Sequence, residues 1–125
     1  MLKYLLDEHI PPAYRAQILR RAEHLSPASE LEVWAIGDPD APAKGTLDPD
    51  ILLWCESHDF VLVTNNRRSM PMHLADHLTA GHHVPGIFTI SLDLSIGQLI
   101  DELIMIAFAA LEDEFADRIT FLPIT

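Results

Sequence analysis

Three polar segments carry the residues whose types and spacing could do chemistry. Leu2-Lys3-Tyr4-Leu5-Leu6 reads as a strand that runs straight into Asp7-Glu8, and Pro11-Pro12 forbids it from continuing. Asp48 opens a helix in the run Asp48-Pro49-Asp50, and the apolar run Phe60-Val61-Leu62-Val63-Thr64 breaks abruptly into Asn65-Asn66. In an open parallel sheet the carboxyl ends of the strands share one edge, and the helices that follow them start there. Asp7, Asp48 and Asn66 are therefore expected at one crevice. Carboxylates converging in such a place repel unless they are protonated or bridged, and a hard divalent cation such as Mg²⁺ is the usual bridge. An ion held there could activate water and stabilise the transition state of phosphodiester cleavage.

Each of these residues also has a plain structural reading. Asp7 alone could cap the helix that begins near Pro12, and Asp-Pro-Asp is a good helix start with no chemistry attached. Glu8 follows Asp7 directly, and strand alternation points it the other way. Arg67 and Arg68 fall at the same edge as Asn66. They could grip a phosphate bidentately, or they could be solvated or paired with Asp7 and Asp48. His73 and His77 are one helical turn apart and could clamp Zn²⁺, but no matching cysteine or glutamate motif accompanies them, which favours surface histidines. Asp38 and Asp40 sit in a loop and read as solubilising charges. Nothing resembles a phosphate-cradling glycine loop, a nucleophile elbow or a dinucleotide fingerprint.

The elements that must position these residues alternate along the chain. A helix is expected over Ala13–Leu25, stopped by Ser26-Pro27, then a short strand over Leu31–Ile36. Gly37 to Gly45 is loop, and the helix opened by Asp48 buries Ile51, Leu52, Trp54 and Cys55. The unbroken apolar run of Phe60–Thr64 is what a central strand buried on both faces looks like. A helix over Met70–Ala80, a strand over Gly86–Leu92 and a helix behind the capping-box pattern Ser95-Ile96-Gly97-Gln98 follow. The last helix is expected to run to about Leu111, with Leu99, Ile100, Leu103, Ile104, Ala107, Phe108 and Leu111 inward and Ile96, Met105 and Ile106 as surplus apolar surface. Arg118–Ile124 reads as a final short strand or a docked tail. This spacing predicts an α/β fold, a three-layer α/β/α sandwich with a mostly parallel central sheet, as one domain over residues 1–125.

The chain has 8 basic against 19 acidic residues and a formal net charge of −11. That argues against broad electrostatic adhesion to nucleic acid or anionic membrane, while leaving room for a phosphate chain bridged by a metal ion or for a basic protein partner. The longest apolar run, Leu103–Leu111, falls far short of the roughly 20 residues of a membrane span. The N-terminus enters a strand with no basic and then apolar leader, so no export signal is expected. Cys55 is the only cysteine, which excludes an internal disulfide and fits a reducing cytoplasm.

The opening Tyr4-Leu5-Leu6-Asp7-Glu8-His9-Ile10-Pro11, the run Leu47-Asp48-Pro49-Asp50-Ile51-Leu52 and the strand Phe60-Val61-Leu62-Val63-Thr64-Asn65-Asn66 together resemble the PIN-like domains, small metal-dependent ribonucleases related to VapC-type toxins. The likeness to the short bacterial toxin-like branch extends over nearly the whole chain, through Pro85-Gly86-Ile87-Phe88-Thr89-Ile90 and the closing Ile119-Thr120-Phe121-Leu122-Pro123-Ile124. The resemblance implies an endoribonuclease of toxin–antitoxin type with one or two Mg²⁺ or Mn²⁺ ions held by Asp7, Asp48 and the position of Asn66. Asn66 departs from the family, whose stronger nucleases have aspartate there; asparagine removes one negative charge from the site. The alternative is a PIN-like scaffold that has lost catalysis and acts by binding RNA or protein. The resemblance also implies a homodimer and a small antitoxin-like partner, which the surplus apolar surface of the last helix would suit.

Overall fold

The strand expected at the centre of the sheet is there. In the computed structural model, which describes residues 1–124, β3 (Val61–Thr64) lies between β1 (Tyr4–Leu6) and β4 (Ile87–Ile90). The sheet has five strands in the order β2-β1-β3-β4-β5, with β2 at Val33–Ala35 and β5 at Ile119–Leu122, and every pair is parallel. The closing segment is thus a true strand. The chain is an α/β protein with helices α1 (Ala13–Leu25), α2 (Asp48–His58), α3 (Met70–Thr79) and α4 (Ile96–Ala109).

Period-two alternation divides the core. Tyr4 and Leu6 of β1, Val61 and Val63 of β3, and Phe88 and Ile90 of β4 face α1 and α4. Leu5, Leu62 and Ile87 face α2 and α3, with Ile51, Leu52, Met70 and Leu74 over them. Tyr4 is fully buried, and its hydroxyl donates to Leu103 O at 2.6 Å, so the ring ties the central sheet to α4. Burial pushes its phenol well above the ordinary range. Cys55 is likewise buried, its thiol pushed up to about 12, which fits an inert core residue.

The last helix differs from the sequence expectation. It ends at Ala109, because Ala110 is extended, and this leaves Leu111 75% exposed. Phe108 is also exposed, whereas Ile96 and Ile106 pack against the core. The reason is angular: at ~100° per residue, Phe108 lies about 110° from the centre of the buried stripe and Ile96 about 10° from it. The unpartnered apolar surface is therefore Met105, Phe108 and Leu111. The pattern at Ser95 does not form its box either; Ser95 is the N-cap residue but makes no side-chain cap hydrogen bond.

No helix among the described residues is long and apolar enough to cross a membrane.

Candidate acidic cleft

The strand order reverses direction at β1: the chain leaves it for β2 on one side and returns to β3 on the other. The crevice outside the carboxyl ends of two such strands is where open α/β sheets bind ligands. A cleft of about 440 Å³ lies there, lined by Asp7, Glu8 and His9 after β1, by Gly45–Asp48 before and at the start of α2, and by Asn65 and Asn66 after β3. Asp7, Asp48 and Asn66, far apart in sequence, share one wall.

Asp7 is 8% exposed, so its carboxylate must be satisfied from within the protein. Thr64 Oγ1 donates to Asp7 Oδ2 at 2.7 Å, and the Glu8 N–H donates to Oδ1 at 2.7 Å. The register Leu6↔Val63 makes this pairing unavoidable: one step on, Asp7 stands beside Thr64, both on the α2/α3 face. Asp7 does not cap α1, whose N-cap is Pro12 with no side-chain bond.

Asp48 opens α2 as its plain structural reading has it, with Asp50 a second acid in the first turn, and it also lines the cleft. Leu47 is the N-cap of α2, so Asp48 is the first helical residue and its carboxylate is turned to the cleft rather than to the helix N–H groups. Its Oδ2 accepts Asn66 Nδ2–H at 3.0 Å and lies 3.6 Å from His73 Nε2. Asn66 is held on all sides. Its Oδ1 accepts the Ser69 N–H at 3.2 Å, its Nδ2 also reaches Ser69 Oγ at 2.8 Å, and its own N–H donates to Thr64 Oγ1 at 3.1 Å. Because a backbone N–H can only donate, Oδ1 must face Ser69 and the NH₂ must face Asp48. A continuous hydrogen-bonded path therefore runs from Asp7 through Thr64 and Asn66 to Asp48.

Glu8 lines the same cleft, against the expectation from alternation. The strand has already ended at Leu6, and Glu8 turns so that Oε1 accepts the Gly45 N–H at 3.0 Å. Gly45 has φ +87°, a conformation that glycine adopts without strain, and this anchors the end of the long loop over the cleft. The start of that loop is anchored by Asp38, which pairs bidentately with Arg15 and accepts the Ala35 N–H at 2.9 Å. The Arg15 guanidinium holds the Asp38 carboxyl below the usual carboxylate range. Asp38 is thus a structural anchor rather than a loose solubilising charge.

Arg67 and Arg68 are exposed, outside the cleft wall, and neither forms an ion pair among the described residues. The Arg67 guanidinium lies over the Phe121 ring, 5.4 Å from its centroid. His73 and His77 are not joined in a clamp. His73 approaches Asp48, whereas His77 is buried at the other end of α3, where Nε2 lies 3.1 Å from His83 O and 3.4 Å from Glu56 Oε1. Among the described residues no three His, Cys, Asp or Glu side chains are grouped so that they could hold a metal ion by themselves.

A hard cation whose shell is completed by water and substrate would need fewer protein ligands than that. Mg²⁺ commonly takes one or two carboxylates and completes its shell with waters and substrate phosphate. The carboxylates that line the cleft are Asp7, Glu8 and Asp48; Asn66, with its NH₂ toward Asp48, adds no oxygen. Sequence reading gave no role to Ser69, saw Thr64 only as a strand end, and placed His73 in a zinc clamp rather than beside Asp48. Thr64 had a legible signal, since strand alternation aligns it with Asp7, while Ser69 and His73 depend on how the β3–α3 turn folds back. Compared with family models, with curated proteins and with solved structures, the chain matches none.

Proposed function

We propose that this chain is a PIN-like protein whose acidic cleft cuts RNA phosphodiesters with the help of Mg²⁺ or Mn²⁺, as toxins of toxin–antitoxin pairs do. The observation that carries the reading is the shared cleft of Asp7 and Asp48 at the switch point of the sheet, joined through Thr64 and Asn66. A divalent ion bound there would lower the pKa of a water and offset charge on the phosphoryl oxygens. The chain's own residues do the rest. Thr64 fixes the rotamer of the buried Asp7, Asn66 fixes Asp48, and the Glu8–Gly45 bond keeps the loop at the rim. With a net charge of −11 the protein repels RNA at long range, so binding at the cleft should depend on the cation. Arg67 and Arg68 would hold backbone phosphates beside the cleft rather than in it.

The proposal carries a cytoplasmic location, a homodimer and a short antitoxin-like partner as its corollaries. A second reading, a PIN-like scaffold that binds without cutting, is favoured by one specific feature: the third family acid is an amide that donates to Asp48. Incubation of the purified chain with single-stranded RNA, in Mn²⁺ and in EDTA, separates the two. Cleavage that needs Mn²⁺ and disappears in Asp48→Asn supports the nuclease; intact RNA in every lane with retained binding supports the scaffold.

A further inference from the structure

Three aromatic rings among the described residues lie under a cation: Lys3 Nζ is over Phe60, the Arg118 guanidinium over Phe115 and the Arg67 guanidinium over Phe121. Phe60 and Phe115 are buried, so their cations only cover the core. Phe121 is different: it keeps 53% of its surface exposed with Arg67 in place. It also stands in one row with the cleft. The register pairs Phe121 with Thr89 and Thr89 with Thr64, and Thr64 Oγ1 donates to Asp7. By alternation with Ile87 and Ile119, Thr89 and Phe121 share the α2/α3 face with Thr64 and Asp7. Three strand spacings separate β1 from β5, about 14 Å. One turn spans that gap. Asn65 and Asn66 line the cleft, and the next residue, Arg67, reaches the Phe121 ring.

We propose that Phe121 and Arg67 form a nucleobase subsite, at which one unpaired base of an RNA strand stacks while its backbone crosses Arg67 and Arg68 toward the cleft. The path to the cleft rests on the nuclease reading above; the ring and its guanidinium do not. Every base has a π-face, so an exposed aromatic ring holds unpaired nucleotides with little regard to sequence. A guanidinium beside the ring adds a second stacking plane and a phosphate donor. Arg67 and Arg68 are exposed, and neither forms an ion pair among the described residues, so both are free to meet phosphate in a protein of net charge −11. A base inside a duplex has its faces covered by its neighbours. The subsite therefore selects single-stranded RNA, and a sugar-phosphate chain without bases gains only the guanidinium contacts.

Adenosine monophosphate tests the subsite by itself, because it has a base and a phosphate but no phosphodiester to cut; ribose phosphate is its baseless control. In Phe121→Trp the added indole reports occupancy, since a base stacked on an indole quenches its emission. Trp34 and Trp54 give the background in the unsubstituted chain. The nucleotide is expected to quench Phe121→Trp and the sugar phosphate to leave it bright. Adding Arg67→Gln should weaken the titration about tenfold, a loss of about 1.4 kcal/mol. Arg20→Gln removes an exposed guanidinium from α1 and should leave the titration intact. In Mn²⁺, Phe121→Leu keeps an apolar cover without a π-face and should raise KM for single-stranded RNA about tenfold, while Phe121→Tyr should restore it. Melting curves confirm that each variant is folded. Quenching that is absent, equal for the two probes, or weakened equally by Arg67→Gln and Arg20→Gln would overturn the subsite, whether or not the chain cuts RNA. Quenching by the nucleotide in a chain that cuts no RNA in Mn²⁺ would support the subsite and overturn the nuclease reading alone.

Discussion

The side-chain amide of Asn66 donates to Asp48 Oδ2 at 3.0 Å, and this bond joins the turn after β3 to the first residue of α2. An aspartate at position 66 would set two carboxylates at that distance. Asn66→Asp is therefore expected to lower the melting temperature in EDTA by about 5 °C, and Mn²⁺ should restore it by bridging the pair. Calorimetric titration should show tighter Mn²⁺ binding than wild type, by about tenfold, from the added charge. A variant as stable as wild type in EDTA would show that the Asn66–Asp48 bond contributes nothing.

Thr64 and Thr89 are neighbours in the β3–β4 register, both fully buried, yet removing their hydroxyls should have opposite effects. Thr64 Oγ1 donates to Asp7 and accepts from Asn66 N–H, so Thr64→Val orphans the buried Asp7 carboxylate oxygen and the half-buried Asn66 N–H and should cost about 2 kcal/mol in urea unfolding. Thr89 Oγ1 has no partner among the described residues, so Thr89→Val should be neutral or stabilising by up to about 1 kcal/mol. Similar losses in both variants would contradict the hydrogen-bond path.

The Arg15–Asp38 pair sets an acid dependence. Arg15, through its hydrogen bond first, holds the folded Asp38 carboxyl below its ordinary value against the opposing effect of burial. A depressed folded value means the pair's contribution is present above the unfolded carboxyl value of about 3.9 and is lost as pH falls through the folded value. Both side chains are partly exposed, so the effect is small. Asp38→Asn should lower the melting temperature by about 3 °C at pH 7, and the gap should close below about pH 4. A gap that widens on acidification would reverse the sign.

Much of the fold was legible because periodicity reports burial directly. Helix α1 falls at Ala13–Leu25 as its spacing predicts, and the unbroken apolar run Val61-Leu62-Val63 does sit mid-sheet. The arrival of Asp7, Asp48 and Asn66 at one edge followed from parallel connectivity alone. Other features depend on single-residue geometry that composition does not encode. The extended Ala110 ended α4 early, and Ile104 at the rim of the buried stripe made Phe108 look inward when it is not. The turn at Glu8 escaped for the same reason: alternation stops where the strand stops, at Leu6. The partners of Asn66 lie in the turn Asn66–Ser69, and the folding back of that turn puts an amide rather than an oxygen against Asp48.

The central claim is that Asp7 and Asp48 hold a divalent ion between them, and thermal melting with Mn²⁺ tests it most directly. An ion that binds only the folded chain raises its stability by about 2.7 kcal/mol at a concentration 100-fold above Kd. Wild type is therefore expected to melt several degrees higher in Mn²⁺ than in EDTA, and Asp7→Asn and Asp48→Asn are each expected to lose that gain. A wild-type melting temperature that Mn²⁺ leaves unmoved, or an equal rise in all three proteins, would contradict the claim.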